Sequence, residues 1–291
     1  MKHAYLIIAH NNFYTLTRLL SMLDDERNDI FLHIDKRAKN VPFEKIKSSV
    51  TKSKLCFTKR ISVFWGHSSQ VDCEMLLLKS ALKHGEYDYV HLLSGVDLPI
   101  KSQKYIDGFF ERNKGNEFLQ VGYAENHLYR LSKYDFTIKP GGKLKKYFFG
   151  NLSELLNNKL KVDRLKKYPD LKICKTANWF SVTGECAKYI VSQEKFIKKL
   201  TRHTVCADEM FLGTVIRNSP FWDKVYNKEP SWDGHMRFID RINNVGSSPH
   251  TFTVEDKEKL CNSEMLFARK FDETVDRDII SFIYESYKQE K

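Results

Sequence analysis

The amino-acid sequence predicts an α/β fold in which helices flank an open, mainly parallel sheet on both faces. An apolar run, a polar tip and a helical repeat follow one another three times within residues 1–113, which is typical of such sheets. The runs lack a polar face, as expected for strands buried on both sides. With 291 residues, 42% of them hydrophobic, the chain can bury a large core. We therefore predict a single domain over residues 1–291.

Apolar and partly β-branched runs of strand length predict the individual strands. They lie at residues 4–9, 30–34, 54–58, 61–65, 89–93 and 178–183. Leucines at helical spacing, up to Leu23, separate the first two runs. The chain therefore opens as a β-α-β unit.

Helical periodicity and end signals predict the remaining elements. The expected helices lie at residues 16–23, 69–84, 102–112, 185–191, 207–217 and 275–289. Ser69 with Asp72 three residues later has the spacing of a helix start. Residues 122–171 lack clear periodicity, so we expect irregular structure there.

Polar residues follow three of the predicted strands. They include His10, Asp35 and Asp97, the last within the Ser-Gly-Val-Asp stretch at residues 94–97. Ligands of open parallel sheets bind beyond the carboxyl ends of the strands. The sequence therefore predicts a ligand site formed by these tips.

The chain is basic, with a formal net charge of +11. Seven of these net charges fall within residues 139–168, hereafter the basic segment, which also contains Phe148, Phe149 and several leucines. A positive protein favours an anionic partner such as a nucleotide, a nucleic acid or an acidic membrane. The segment itself fits either an amphipathic element on anionic lipid or a solvated lysine-rich face.

The N-terminal apolar run is too short for a signal peptide, and no run approaches the eighteen or so residues that a membrane helix needs. Six cysteines are dispersed with no Cys-x-x-Cys pair. They are therefore expected to be free thiols, mostly buried, in a reducing cytosol.

The sequence holds none of the common cofactor or metal motifs. Gly-rich dinucleotide and phosphate loops are absent, and the ten histidines form no zinc-type spacing. The only Asp-x-Asp, Asp276-Arg277-Asp278, falls within the predicted terminal helix, where its two acids point to different sides. We expect no metal ion and no bound cofactor.

Three charged residues each allow a structural and a functional interpretation. Glu209, which follows Asp208 at the start of a predicted helix, either stabilises the helix dipole or serves as a general base. Arg237 and Lys270 lie among apolar neighbours, where a cation is costly unless it meets an anion. That anion is either a nearby carboxylate or the phosphate of a ligand.

Five blocks of the sequence occur in the order found in a known family. They are His33-Ile34-Asp35, residues 64–72 (FWGHSSQVD), residues 94–101 (SGVDLPIK), Asp208-Glu209 and residues 267–272 (FARKFD). From residue 4 to 276 the chain resembles the core-2/I-branching β-1,6-N-acetylglucosaminyltransferase family. This is glycosyltransferase family 14, which also contains peptide O-xylosyltransferases.

The resemblance implies a GT-A-like fold and an inverting transfer of a sugar from a UDP-sugar to an acceptor hydroxyl, without a metal ion. It implies that Glu209 is the catalytic base and that Arg237 and Lys270 bind the donor diphosphate. His10 and Asp35 resemble uridine-contacting positions. Residues 1–121 would then be the nucleotide-binding half of the domain, and residues 122–291 the acceptor and diphosphate-binding half.

The substrates are expected from the same resemblance. UDP-N-acetylglucosamine is the expected donor, with UDP-xylose or another UDP-hexose as alternatives. Unlike the Golgi members, this chain begins almost at its first strand, so we expect a bacterial-type cytosolic enzyme of surface polysaccharide synthesis. Its acceptor would be a glycan or lipid-linked glycan, and the enzyme would lie peripherally on the inner face of an anionic plasma membrane.

Further substrate contacts are predicted only as candidates. Asp97 and Trp179 are candidate substrate-binding residues, and Trp222 and Trp232 are candidate sugar platforms that equally fit the core. A basic nucleic-acid-binding module is the alternative from another class. The aromatic residues are not interleaved with the basic ones as a stacking platform requires, so no nucleic acid is expected.

Overall fold

The computed structural model describes residues 1–137, 143–231, 233–242 and 248–288, and of residues 143–146 it describes the backbone alone. The strands in these ranges are β1 His3–Ala9, β2 Asn28–Ile34, β3 Lys54–Phe57, β4 Tyr89–Ser94, β5 Leu98–Pro99, β6 Phe118–Leu119, β7 Phe180–Thr183, β8 Arg237–Ile239 and β9 Phe267–Arg269.

A six-stranded sheet with the order β3-β2-β1-β4-β7-β6 forms the centre of the fold. Strands β1 to β4 are parallel, and β7 runs antiparallel to both of its neighbours. Ile8 of β1 pairs with both His33 of β2 and Ser94 of β4, so these three strands end at the same level. The predicted GT-A-like fold class, with a mixed and mainly parallel sheet, is confirmed.

Helices cover both faces of this sheet. They are α1 Phe13–Met22, α2 Phe43–Ser48, α3 Ser69–His84, α4 Gln103–Arg112, α5 Tyr129–Ser132, α6 Lys143–Glu154, α7 Gly184–Ser192, α8 Glu194–Thr201, α9 Asp208–Arg217, α10 Lys257–Cys261 and α11 Arg277–Tyr287. Leu6 and Leu92 pack with α3, α7 and α9, whereas Tyr5 and Leu93 pack with α1, α4 and α11. Successive strand residues are thus buried on opposite faces, which explains their uninterrupted apolar sequence.

A second, three-stranded sheet with the order β5-β9-β8 was not predicted. Its strands have two or three residues each, too few to show a period in the sequence. Leu98 pairs with Ala268, which brings the end of β9 beside the turn that follows β4. The small sheet therefore carries Arg269 and Lys270 to the ligand edge of the large one.

The predicted strand at residues 61–65 is wrong. Its backbone amides bind side chains instead of a neighbouring strand: the Ile61 amide donates to His33 Nε2 at 3.0 Å, and the Val63 amide donates to Asp35 at 3.1 Å. The segment is consequently a loop that crosses the ends of the parallel strands.

The ends of two predicted helices are capped differently than expected, although α3 spans Ser69–His84 as predicted. Ser69 does not cap α3, because its hydroxyl accepts from the Phe64 amide at 2.9 Å. Asp276 lies outside α11 and caps it, accepting from the amides of Asp278 and Ile279 at 2.9 and 3.0 Å. The Asp-x-Asp pattern is therefore a helix cap.

Residues 122–171 were expected to be irregular, which is wrong in part. The described portion contains α5, α6, a π-helical stretch Leu155–Lys159 and 3₁₀ helices Glu125–His127 and Arg164–Lys167. Two further 3₁₀ helices lie at Pro220–Lys224 and Val254–Asp256. All six cysteines are free thiols, as predicted, but only three of them are buried, where most were expected to be.

Candidate functional site

The ends of β1, β2 and β4 meet at one edge of the large sheet. The Asp35 amide donates to the Ala9 carbonyl at 2.9 Å, and the Gly95 amide donates to the Ile8 carbonyl at 2.9 Å. His10 is exposed at this edge, and the Asp35 side chain is buried below it. The structure thus brings together the strand tips that the sequence singled out.

Asp35 is held by the loop that crosses the strand ends. Its carboxylate accepts from the Arg37 guanidinium at 2.9 and 3.1 Å and from the Val63 amide at 3.1 Å. Burial raises the pKa of the Asp35 carboxyl, but these hydrogen bonds outweigh it and lower the pKa below its usual range. Asp35 is therefore ionised and fixes the loop beside the tip of β2.

Glu209 lies in the first turn of α9 with 29% of its side chain exposed. Arg130 of α5 donates to its carboxylate at 2.5 Å, and the Lys175 amine lies 3.5 Å away. Burial raises the pKa of Glu209, but the charges of Lys175, Arg130 and Arg241 outweigh it and lower the pKa. The chain thus presents an ionised, partly exposed carboxylate at a helix start.

The neighbouring Asp208 has the opposite environment. It is buried, and its carboxylate accepts from Gln70 at 2.9 Å and from Asn178. Burial and the adjacent Glu209 charge raise the pKa of Asp208 to about 6. Glu74 of α3 is also buried, and its pKa is raised by burial and by the Asp208 charge. The two adjacent acids therefore differ: Glu209 is ionised, and Asp208 anchors the helix start.

The Asp208 environment predicts a pH-dependent stability. Because its folded pKa of about 6 lies above the ordinary 3.8, the folded state binds this proton more tightly than the unfolded state. Its stabilising effect is complete below pH 3.8 and is lost as pH rises through 6. We expect the unfolding free energy of Asp208→Asn to rise, relative to wild type, by about 2 kcal/mol between pH 4 and 7.5.

Urea unfolding followed by circular dichroism at pH 4, 6 and 7.5 measures this difference. Asp223→Asn is the matched control, since the Asp223 side chain is 90% exposed. Its difference from wild type should not change with pH. An Asp208→Asn difference that is constant across the range would contradict a protonated Asp208 in the folded state.

Arg237 lies inside the protein, where only 1% of it is exposed. Its guanidinium donates to Ser181 Oγ at 2.8 Å and to the carbonyls of Leu92 and Phe180 at 3.2 and 2.6 Å, as well as to the His235 carbonyl. It joins β4, β7 and β8 and presents no face to a ligand in this structure. The geometry favours a structural role, and the diphosphate contact predicted for Arg237 stays a prediction.

Arg269, at the end of β9, is a cation of the FARKFD block to which the sequence analysis assigned no role. It donates to Asp97 and to Ser94 Oγ, both at 3.1 Å, and its guanidinium lies 4.1 Å from the centre of the Trp179 ring. Asp97 has no exposed surface and also accepts from the Ser94 amide. In this structure Asp97 therefore positions Arg269, and Trp179 supports it, whereas a direct substrate contact of either stays a prediction.

Lys270 follows Arg269 and forms fewer contacts through its charged group. Among the described residues its amine has no hydrogen-bond acceptor, and its charge acts on Asp272. Burial raises the pKa of Asp272, but hydrogen bonds from Thr274 and Asn12 and the Lys270 charge outweigh it and lower the pKa. Asn12 follows β1, so Lys270 lies by the same sheet edge as His10 with its charge available to a ligand.

Trp65 is the most exposed large aromatic residue among those described, at 78%. Its neighbour Phe64 packs against Arg37, whose guanidinium lies 4.2 Å from the ring centre. The Gly66 carbonyl accepts from the Cys206 amide at 2.8 Å, just before α9. Trp65 thus projects from a loop that contacts the tip of β2 through Val63 and the start of α9 through Gly66. An exposed aromatic face in this position can pack on a sugar ring.

The other tryptophans contribute less. Trp222 packs against the core and the Arg217 side chain, and Trp232 lies outside the described residues. In the described ranges, no group of three His, Cys, Asp or Glu side chains has the arrangement of a metal site. None of the described helices has the length and apolar character needed to span a bilayer.

The sequence is similar to a known protein family and to curated proteins. A family model described as "Core-2/I-Branching enzyme" matches residues 3–260. Xylosyltransferase 2 of Rattus norvegicus is 22% identical over 305 aligned positions, which cover 98% of this chain and 34% of that protein. Xylosyltransferase sqv-6 of Caenorhabditis elegans is 25% identical, with 86% and 32% covered. This chain therefore spans about a third of the length of these relatives.

Comparison with solved structures gives weaker similarities. The crystal structure of mouse xyloside xylosyltransferase 1 in its apo form aligns with a TM-score of 0.35 and 8% identity, covering 76% of this chain and 83% of that one. The crystal structure of a 4-diphosphocytidyl-2C-methyl-D-erythritol synthase from Anaerococcus prevotii aligns with a TM-score of 0.32 and 11% identity, covering 67% and 75%.

Proposed function

The chain belongs to the core-2/I-branching enzyme family, and from this we propose that it is an inverting glycosyltransferase. It moves a sugar from a UDP-sugar to a hydroxyl of a glycan acceptor. The observation that carries the proposal is an ionised, partly exposed Glu209 together with two cations at the same edge of the fold: Arg269, which is positioned by Asp97, and Lys270, whose charge is available to a ligand.

Two consecutive residues connect the carboxylate to the cations. Asn178 donates to Asp208, at the start of the helix that carries Glu209, and Trp179 supports the Arg269 guanidinium. Consecutive Cα atoms are about 3.8 Å apart, so one short segment contacts both the start of α9 and the Arg269 guanidinium. A sugar bound between them has a base on one side and cations on the other.

The cations supply what the leaving group requires. Glycosyl transfer passes through an oxocarbenium-like state while negative charge accumulates on the departing diphosphate. Arg269 and Lys270 receive that charge, and Arg241 lies close enough for its charge to act on both Arg269 and Glu209. Preorganised charges of this kind stabilise such states, so we propose that no divalent ion is needed.

Glu209 acts on the acceptor. Its carboxylate accepts a hydrogen bond from the attacking hydroxyl and takes that proton as the bond to the anomeric carbon forms. Arg130 and Lys175 keep the carboxylate ionised and aimed. Because the hydroxyl attacks from the side opposite the diphosphate in one displacement, the anomeric configuration inverts.

The proposed site of the nucleoside lies at the strand tips. We assign it to the edge formed by His10 and Asp35, since ligands of parallel sheets bind beyond the carboxyl ends of strands. The Asp35 carboxylate already accepts hydrogen bonds from Arg37 and from the Val63 amide. Its contribution is therefore to shape the pocket, and the exposed His10 ring supplies the direct contact.

The sugar and the pathway are finer proposals. The resemblance favours N-acetylglucosamine, and the names of the relatives favour xylose as the second candidate. We propose a role in bacterial surface polysaccharide synthesis, with a glycan or lipid-linked glycan as acceptor. The basic composition of the chain supports a site of action at the periphery of an anionic membrane.

UDP release from a panel of UDP-sugars tests the function, with purified protein and a mixed-acceptor extract, measured with EDTA, without EDTA and with added Mn²⁺. We expect release from one donor, undiminished by EDTA, because Arg269 and Lys270 replace the ion. Glu209→Gln protein is the matched control for contaminating activity. Release only after addition of Mn²⁺ would contradict the metal-independent mechanism, and no release with any donor would contradict the function.

A further inference from the structure

A strongly basic pocket of about 390 Å³ lies between α8 and the chain that follows α5. Its described lining is Tyr134, Arg164, Lys198, Lys199, Arg202 and His203. Four of these six side chains are cationic, and none is a carboxylate. We call this cavity the basic pocket.

Among the described residues, a carboxylate within ion-pair distance is found for one of the four cations of the basic pocket. Lys198 pairs with Glu194 at 2.8 Å. Arg164 donates to the carbonyls of Leu131 and Lys199 at 3.2 and 3.0 Å, and these acceptors carry no full charge. A helix dipole accounts for lysines in the last turn of α8, but not for Arg164, which comes from another element. Converging cations of this kind favour a bound anion.

The basic pocket lies close to the proposed acceptor side of the active site. Arg130 binds Glu209, and Tyr134, four residues further on, lines the pocket. Four residues span at most about 14 Å. An acceptor that places its hydroxyl at Glu209 can therefore place a linked phosphate in the basic pocket.

Exposed apolar side chains border the same pocket. Asn157 binds the backbone of Tyr134 through two hydrogen bonds of 2.9 and 2.8 Å, which ties α6 and the π-helical stretch to the pocket wall. Large exposed side chains on this segment are Tyr147 at 72%, Phe148 at 65%, Leu155 at 41% and Leu160 at 61%. Apolar exposure on this scale marks a surface that contacts a partner or a membrane.

We propose that the basic pocket binds a phosphate group carried by a membrane lipid, with the apolar side chains of residues 147–160 entering the bilayer interface beside it. Exposed lysines of the basic segment (Lys159, Lys161, Lys166 and Lys167) add attraction to an anionic surface. Phosphate chemistry alone also fits a soluble ligand. The adjoining apolar side chains select the lipid, because a soluble phosphate gives them nothing to bury against. The inference rests on the proposed function in naming the class of acceptor as phosphate-bearing and lipid-linked.

Vesicle co-sedimentation of the full chain tests this, without UDP-sugar, at 0.1 M NaCl. The probes are phosphatidylcholine vesicles with and without 20% phosphatidate. We expect binding only to the anionic vesicles and about thirty-fold weaker binding for Lys199→Glu/Arg202→Glu, from about 1 kcal/mol per basic residue at an anionic surface. Phe148→Ser should also bind more weakly. Lys45→Glu/Lys114→Glu, the same charge change at exposed lysines elsewhere, should bind more tightly than the pocket variant.

Several outcomes would overturn the proposal. They are equal binding to neutral vesicles, wild-type binding by the Lys199/Arg202 variant, or an equal loss in the Lys45/Lys114 control. Calorimetric binding of inorganic phosphate that depends on Lys199 and Arg202, without binding to anionic vesicles, would show a soluble phosphate ligand, and tighter binding to a single-stranded oligonucleotide would show a nucleic-acid surface. Vesicle binding without UDP release in the donor panel would overturn the proposed function alone, and UDP release without vesicle binding would overturn this inference alone.

Discussion

Replacing Glu209 with Gln is expected to lower kcat about 10²–10⁴-fold, the usual contribution of a positioned general base. The Gln side chain fills the same space at the start of α9, and its carbonyl oxygen still accepts from Arg130. It cannot take a proton from the acceptor hydroxyl. Donor binding depends on the cations at the end of β9, so the affinity for UDP should remain at the wild-type level. Steady-state rates with the active donor and titration calorimetry with UDP measure the two effects.

Two further variants separate chemistry from folding. Glu209→Asp keeps a carboxylate but withdraws it by one methylene, so its rate should fall between those of wild type and Glu209→Gln. Glu44→Gln, at an exposed position on α2, should retain full activity. Thermal melting checks that loss of the Arg130 and Lys175 ion pairs leaves the chain folded. Full turnover by Glu209→Gln would exclude this residue as the base.

The parallel strands were predictable because of where they lie. Strands buried on both faces carry apolar runs without strict alternation, and β1, β2 and β4 are buried at nearly every position. Their polar tips follow directly, so the ligand edge could be located as well. The capping side chains of helices were predicted less well, since the partners of Ser69 and Asp276 are determined only in the folded chain.

The loop at residues 61–65 shows what sequence periodicity cannot resolve. Its apolar run has the composition of a strand, but His33 and Asp35, which are distant in sequence, bind its amides. The small sheet is invisible for a different reason, because two- and three-residue strands have no measurable period. Both features depend on contacts between distant segments, and both shape the site.

The cations at the site illustrate the same limit. Arg237, Arg269 and Lys270 all occur among apolar neighbours in short strands or directly after one, so their local sequences are alike. Only the pairing of β8 with β9 decides which of them is covered. Arg237 points into the junction of the two sheets, whereas Lys270 lies beyond the strand end.

This difference gives opposite expectations for Arg237→Met and Lys270→Met. Removing the Arg237 guanidinium leaves the carbonyls of Leu92 and Phe180 and the Ser181 hydroxyl buried without this donor. Each such group costs about 1–3 kcal/mol, so the free energy of unfolding should fall by about 3 kcal/mol or more. Lys270 has no such partners among the described residues, so Lys270→Met should unfold like wild type. Its affinity for UDP should fall about 10–100-fold, the worth of a hydrogen bond between charged groups.

Urea unfolding and UDP calorimetry on both variants and on Lys45→Met, an exposed lysine away from the site, distinguish the two roles. A structural role of the buried Arg237 predicts that Arg237→Met loses stability and that Lys270→Met loses only UDP binding. A diphosphate contact by Arg237, as the family resemblance implies, predicts that Arg237→Met unfolds like wild type and binds UDP as weakly as Lys270→Met. Because the guanidinium is surrounded by β4, β7 and β8, that second result would require these strands to separate when the donor binds.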